Sequence, residues 1–249
     1  MAEIFNLKEI NNVSTKDIIT DYDKLSERSD EFDLTKKNSD IQTIIAKLKK
    51  IIRSDDTIVA LSAPQIGYNK RIICMDFNKD IRTFINPVID NVKGLGLSKE
   101  TCHSIPDKTY IRIRHPEISV TFQTPLGKIQ TVKLVGLAAI MMQHHIDHLE
   151  GILLSDIGLE IDDEWEKASE EERQEVIDYY IDSLDLKASE LNKEISDNTD
   201  TKQLADAIRF MNSVREGKTK IEKIPLTDEE IAVIKEYKAE KENKDNAKQ

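Results

Sequence analysis

The spacing of apolar positions changes along this chain, and each change marks an element. Residues 1–38 are polar and mixed, with Ile4, Phe5, Leu7 and Ile10 forming one short apolar patch. From Ser39 onward, Ile41, Ile44, Ile45, Leu48, Ile51 and Ile52 recur at helical spacing. They predict an amphipathic helix of about 14 residues. Ser39-Asp40 supplies its N-cap, and the charged run Arg53-Ser54-Asp55-Asp56 ends it. Residues 57–67 begin β-branched and pass to small residues, a proline and a glycine. They predict a short strand running into a tight turn. Residues 71–77 read as a buried strand. Residues 82–89 read as another, interrupted at Pro87 and so placed at an edge or a bulge. A turn is expected at Gly94-Leu95-Gly96-Leu97, and irregular structure over 100–106. Three further strands follow at 110–113, 117–123 and 128–134. Ile118, Val120 and Phe122 alternate, and Pro125-Leu126-Gly127 makes a hairpin turn. The apolar run 135–142 then leads a helix over 136–148.

Beyond residue 154 the character shifts. Residues 162–249 are highly charged, with Gly217 and Pro225 as the lone glycine and proline. Trp165, Val176, Ile177, Tyr180, Ile181 and Leu184 predict one amphipathic helix. Leu204, Ile208, Met211 and Val214 predict a second. Thr227-Asp228-Glu229-Glu230 caps a third, with Glu at N3. Residues 240–249 are expected to be frayed or disordered. The order of elements predicts an α+β domain over 1–161 and a charged α-helical extension over 162–249.

Composition narrows the function classes. With 249 residues the chain can bury a full core in one or two domains. Its 39% hydrophobic and 33% charged content fits a soluble protein with a solvated helical portion. The net charge of −11 argues against direct nucleic-acid binding and against an anionic membrane surface. No apolar run approaches the roughly 20 residues that span a bilayer. Met1-Ala2-Glu3-Ile4 opens no basic region followed by an apolar one, so no signal peptide is expected. Cys74 and Cys102 make no disulfide framework, which points to a reducing, cytoplasmic compartment.

The chemistry concentrates in one place. Of five histidines, His144, His145 and His148 stand together on the predicted helix and His103 follows Cys102. His144 and His148, four apart, project from one face one turn apart. That spacing suits chelation of one metal ion by two imidazoles. Cys102 is the candidate third ligand, since a thiolate binds Zn²⁺ or Fe²⁺ strongly. The competing reading makes the histidines core residues and Cys102 an inert thiol. A zinc peptidase of the H-E-x-x-H type needs Glu directly after the first His, where His145 stands. Glu100 could pair with Arg112 or Arg114 to brace the cysteine. Asp147 could brace a strand or a ligand imidazole. Cys74, inside a hydrophobic strand, is read as core. Met141 and Met142 are read as packing, with one of them a candidate pocket residue.

Three stretches resemble the motifs of the peptide deformylase family, in the same order and at similar spacing. The family's G-x-G-x-A-A-x-Q appears as Ile58-Val59-Ala60-Leu61-Ser62-Ala63-Pro64-Gln65. Its E-G-C-L-S appears as Glu100-Thr101-Cys102-His103-Ser104. Its Q-H-E-x-D-H appears as Gln143-His144-His145-Ile146-Asp147-His148. The resemblance covers about residues 1–155. It implies a mixed α+β domain around a central metal helix. It also implies one divalent metal ion on Cys102, His144 and His148, iron in many members and zinc or nickel in others. A fourth coordination position would hold water that the metal acidifies. The Gln65 amide and the backbone N–H of His103 would stabilise charge developing on the formyl oxygen. The implied reaction removes the formyl group from the N-formylmethionine of new polypeptides. The methionine pocket would be apolar and built partly by the central helix.

The departures bear on activity. His145 replaces the family's glutamate, the general acid/base. Three roles are open for it: proton carrier, fourth metal ligand, or none. Ile58, Ala60 and Thr101 replace glycines, and Thr101 is hard to accommodate if its position needs a positive φ. The alternative function is therefore a catalytically inactive relative that binds a nascent chain, the ribosome or a protein partner. The charged extension would supply such a contact, or is a solvated appendage.

Overall fold

The computed structural model describes residues 13–34 and 40–181. A helix over Asp40–Ser54 (α1) opens the main body. Strands follow at Ala60–Ser62 (β1), Ile72–Phe77 (β2), Asp80–Lys93 (β3), Gly96–Cys102 (β4), Ile105–Arg114 (β5), Glu117–Gln123 (β6) and Ile129–Val135 (β7). The histidine-bearing helix runs over Gly136–Glu150 (α2), and Leu159–Ile161 adds a short strand (β8). A further helix occupies 170–181 (α3). The strands form two antiparallel sheets, ordered β1-β2-β3-β6-β7 and β4-β5-β8. The fold is α+β, as the order of elements predicted. No described helix is long and apolar enough to cross a membrane.

Two cores hold this arrangement. The isoleucine stripe of α1 (Ile44, Leu48, Ile51) packs on Leu61, Ile72, Cys74 and Ile85 from one face of the larger sheet. Ile73, Met75, Phe84, Val120 and Phe122 face the other way and meet Ala139, Met142, Ile146 and Leu149 of α2. Successive side chains of a strand point to opposite faces. β2 is covered on both, which is why its sequence is continuously apolar rather than alternating. Cys74 is a core residue, as expected, and burial pushes its thiol up to about 11.

The second half of residues 82–89 departs from an edge. β3 lies between β2 and β6, and Pro87 falls at a register shift between Ile85 and Val88. The proline therefore sits at a bulge, where no ladder hydrogen bond is asked of it. Asn86 takes φ 48° there, and its side chain ties the bulge to Phe32 and Gln123. The larger correction concerns residues 100–106. They are not irregular: Glu100, Thr101 and Cys102 end β4, which turns directly into β5. Thr101 has no positive φ and lies in β4, where a β-branched residue is favoured, just before a register shift against β5.

The end of α2 is fixed by Gly151, at φ 74°. A Cβ there would lie 2.3 Å from the Ser26 carbonyl oxygen, so only glycine closes the helix against the 13–34 segment. The same contact region holds the ion pairs of Glu150 with Arg71 and Arg28. Ser39, offered as the N-cap of α1, lies outside the described residues, as do the predicted helices beyond 181.

Candidate metal centre

Burial along β4 alternates, and the inward positions are Ser98, Glu100 and Cys102. A strand that turns polar groups inward must satisfy them, and β5 and α2 do so. Arg114 of β5 donates through Nε and Nη2 to the two carboxylate oxygens of Glu100, at 2.8 and 3.0 Å. Glu100 also accepts from Ser98, and its Oε2 lies 3.0 Å from Nδ1 of His144. Arg114 Nη1 reaches Asp147 Oδ2 at 2.6 Å, and Arg112 Nη2 reaches the same oxygen at 3.4 Å. Both pairings left open by the sequence are thus resolved: Arg114 holds Glu100, and Asp147 braces the two arginines.

Burial alone would raise the Glu100 carboxyl. Hydrogen bonds and charge from His144 and Arg114 reverse this and hold it well below the usual range. A depressed carboxylate contributes stability above its ordinary value near 4.5, and the contribution is lost as pH falls below it. Arg114→Met leaves this buried carboxylate without its main partner. The expected loss in unfolding free energy at pH 7 is about 3–5 kcal/mol, measured by denaturant titration. A loss below about 1 kcal/mol, the range of exposed pairs, would contradict the network as drawn.

This scaffold delivers three donors to one point. Cys102 Sγ and His148 Nε2 are 3.2 Å apart. The ligand atoms of Cys102, His144 and His148 all lie within 4.8 Å of one another. Glu100 engages Nδ1 of His144, which leaves Nε2 for the cluster and sets the tautomer. Burial would raise the Cys102 thiol, but hydrogen bonds and charge from His144 and His148 lower it to about 5. An acidified thiol with two buried imidazoles suits a borderline transition metal, so the residues fit the ion that the sequence led us to expect.

Gln65 follows β1 on a 3-10 turn, Ala63–Ile66, and is fully enclosed. Its Oε1 accepts from the Ser62 backbone N–H at 3.0 Å and from the Ser62 hydroxyl at 3.1 Å. Its Nε2 donates to Ser104 Oγ at 3.2 Å and faces Cys102 Sγ at 3.8 Å. The carbonyl end is therefore anchored and the donor end aimed at the cluster.

A cleft of about 220 Å³ opens over these groups. Val59, just before β1, and Ala60, at its start, line it, with Thr101 and Cys102 from β4 and Leu137, Ile140 and Met141 from α2. Met141 lines the cleft, whereas Met142 is core. His103 is exposed at the rim. His145 is 6% exposed and lines the cleft, with its ring centroid 5.1 Å from that of His144. It does not join the three-donor cluster. Its Nδ1 is buried and meets no partner among the described residues. Burial, then the neighbouring His144 and His148, push its imidazolium well below the ordinary range, so its ring is neutral. Sequence reasoning missed Ser98, which carries no signal beyond its place in a polar strand, and named Ser104 only as the last residue of the cysteine motif, without a role.

Fold and site together present a buried cluster of one cysteine and two histidines that could hold a metal ion, beside a cleft that the Gln65 side chain lines. Comparison with known proteins names the family. The profile described as Polypeptide deformylase matches residues 15–161. A peptide deformylase of Dictyoglomus turgidum is 35% identical over 130 residues, which cover 50% of this chain and 85% of that protein. One of Desulfitobacterium hafniense is 40% identical over 98 residues, covering 39% of this chain and 65% of that protein, just under two thirds of its length. Among solved structures, the peptide deformylase of Thermotoga maritima is 28% identical at a TM-score of 0.50, covering 53% of this chain and 89% of that one. The deformylase of the Vibrio parahaemolyticus bacteriophage VP16T, solved in complex with actinonin, is 27% identical at 0.50, covering 55% and 98%. The chain belongs to the polypeptide deformylase family.

Proposed function

We propose that this protein is a metal-dependent deformylase acting on peptides that begin with N-formylmethionine. The observation that carries the reading is the convergence of Cys102, His144 and His148 with the anchored Gln65 amide at one cleft. Cys102, His144 and His148 hold one divalent ion, iron by family resemblance, with zinc or nickel able to take its place. When bound, the ion supplies a Lewis acid that acidifies water at neutral pH. Gln65 Nε2 and the His103 backbone N–H stabilise the charge that develops on the formyl oxygen. Val59, Leu137, Ile140 and Met141 offer the methionine side chain an apolar wall. β1 and β4 each end a sheet and both line the cleft. An extended peptide can therefore pair with their open edges.

His145 takes the place of the proton carrier. As a neutral ring facing the cleft it accepts a proton during attack and returns it to the departing amine. Its depressed basicity makes that transfer unfavourable, so turnover is expected to be slow. The same substitution favours a second reading, a relative without turnover that retains peptide binding. In that case the extension over 162–249 would contact the ribosome or another protein in the cytoplasm.

Two measurements separate these readings. Actinonin is expected to bind the metal-loaded protein in calorimetry under both. Release of formate from a formyl-Met tripeptide, lost in His145→Ala, supports the enzyme. Actinonin binding without formate release supports the second reading. Neither binding nor release would overturn both.

A further inference from the structure

Helix α3 lies beyond the segment matched by the family profile, yet its Tyr180 and Ile181 are buried. Tyr180 is 4% exposed, while its neighbour Tyr179 is 75% exposed. The Tyr180 hydroxyl donates to the Ile157 carbonyl at 2.7 Å. Arg112 Nη1 donates to that same oxygen at 3.3 Å. Arg112 then shares Asp147 with Arg114, Arg114 grips Glu100, and Glu100 holds Nδ1 of His144. Continuous polar contacts thus run from the extension to a metal ligand. We propose that Tyr180 is a positioning residue of the metal centre, through which α3 seals and orients the Arg112–Asp147–Arg114–Glu100 network behind His144.

The physical basis is the dependence of buried charge on its surroundings. The side chains of Arg112, Arg114 and Glu100 are almost fully enclosed. Removing the cover admits water, which weakens each pairing in the series. Nε of Arg112 has no hydrogen-bond partner among the described residues, so this guanidinium depends on its contacts with Ile157, Asp147 and Tyr180 itself. Tyr180 fixes the Ile157 carbonyl from its second side. The extension is then part of the catalytic domain's scaffold at least to residue 181, not an appendage beginning at 162.

The inference rests on the metal-site reading above, and the test keeps the two apart. The full-length protein is loaded with Co²⁺, and the thiolate-to-cobalt absorption band and the rate of release to excess chelator are recorded. Tyr180→Phe keeps the ring and loses the hydroxyl. It is expected to speed release about three- to tenfold, the effect of one buried hydrogen bond. In an Arg112→Lys background the same change should add less than twofold. Tyr179→Ala should leave release unchanged. A Tyr180→Phe protein that releases cobalt at the wild-type rate would overturn the proposal. So would an equal acceleration with and without Arg112, which would mark general loosening instead. If wild-type protein takes up no cobalt, the metal-site reading fails with it, and that failure is visible before any variant is made.

Discussion

Cys102→Ala and His148→Ala should each lower divalent-metal affinity by more than about 100-fold, the upper range for residues that merely orient a metal ligand. The expectation follows from donor count. A protein site with three donors in one cluster becomes a two-donor site, His144 with His148 in the first variant and Cys102 with His144 in the second, one short of a three-ligand protein site. Cys102 matters most because its thiol is already lowered to about 5 by the imidazoles beside it. Little of the binding energy is then lost to removing its proton. The fold should survive both changes, since neither residue is a main component of the two large hydrophobic cores. Competition with a chromophoric chelator gives the affinities, and circular dichroism reports the fold. Metal binding at wild-type strength in Cys102→Ala would remove the cysteine from the site.

The second large effect runs upward. His145→Glu is expected to raise deformylation of a formyl-Met tripeptide by about 100-fold or more, within the range contributed by a positioned general base. The ring at 145 is buried, neutral and hard to protonate between His144 and His148. A carboxylate at that position would be favoured in its charged form by a divalent ion held beside it, against the opposing effect of its burial. Steady-state kinetics on the metal-loaded variant decide the matter. If metal and actinonin still bind but turnover does not rise, the added side chains at Ala60 and Thr101 in the cleft are the next suspects.

Much of this architecture is legible in the sequence. The isoleucine stripe of α1, the alternation in β6 and the run leading into α2 each reflect a simple rule of burial, and each element lies close to its predicted position. β4 was not legible because its inward residues are Ser98, Glu100 and Cys102. A strand that buries polar groups has alternation without hydrophobic alternation, and the two signals are easily confused with a loop. The continuous β3 was obscured in the same way, since Asn86 and Pro87 at its bulge read as an interruption. The three candidate metal donors stand out in the sequence through residue type and spacing. The network behind them does not, because Arg112, Arg114 and Asp147 become partners only when β5 and α2 pack together. Tyr180 was visible as one apolar position of a helix, whereas its hydroxyl bond to Ile157 depends on where that helix docks.

Everything proposed for the chemistry depends on one ion being held by Cys102, His144 and His148. Elemental analysis of wild-type protein, purified without chelator, measures this directly. About one iron, zinc or nickel per chain is expected, falling to background in Cys102→Ala. Wild-type protein that carries no metal, and takes up none when it is supplied, would contradict it.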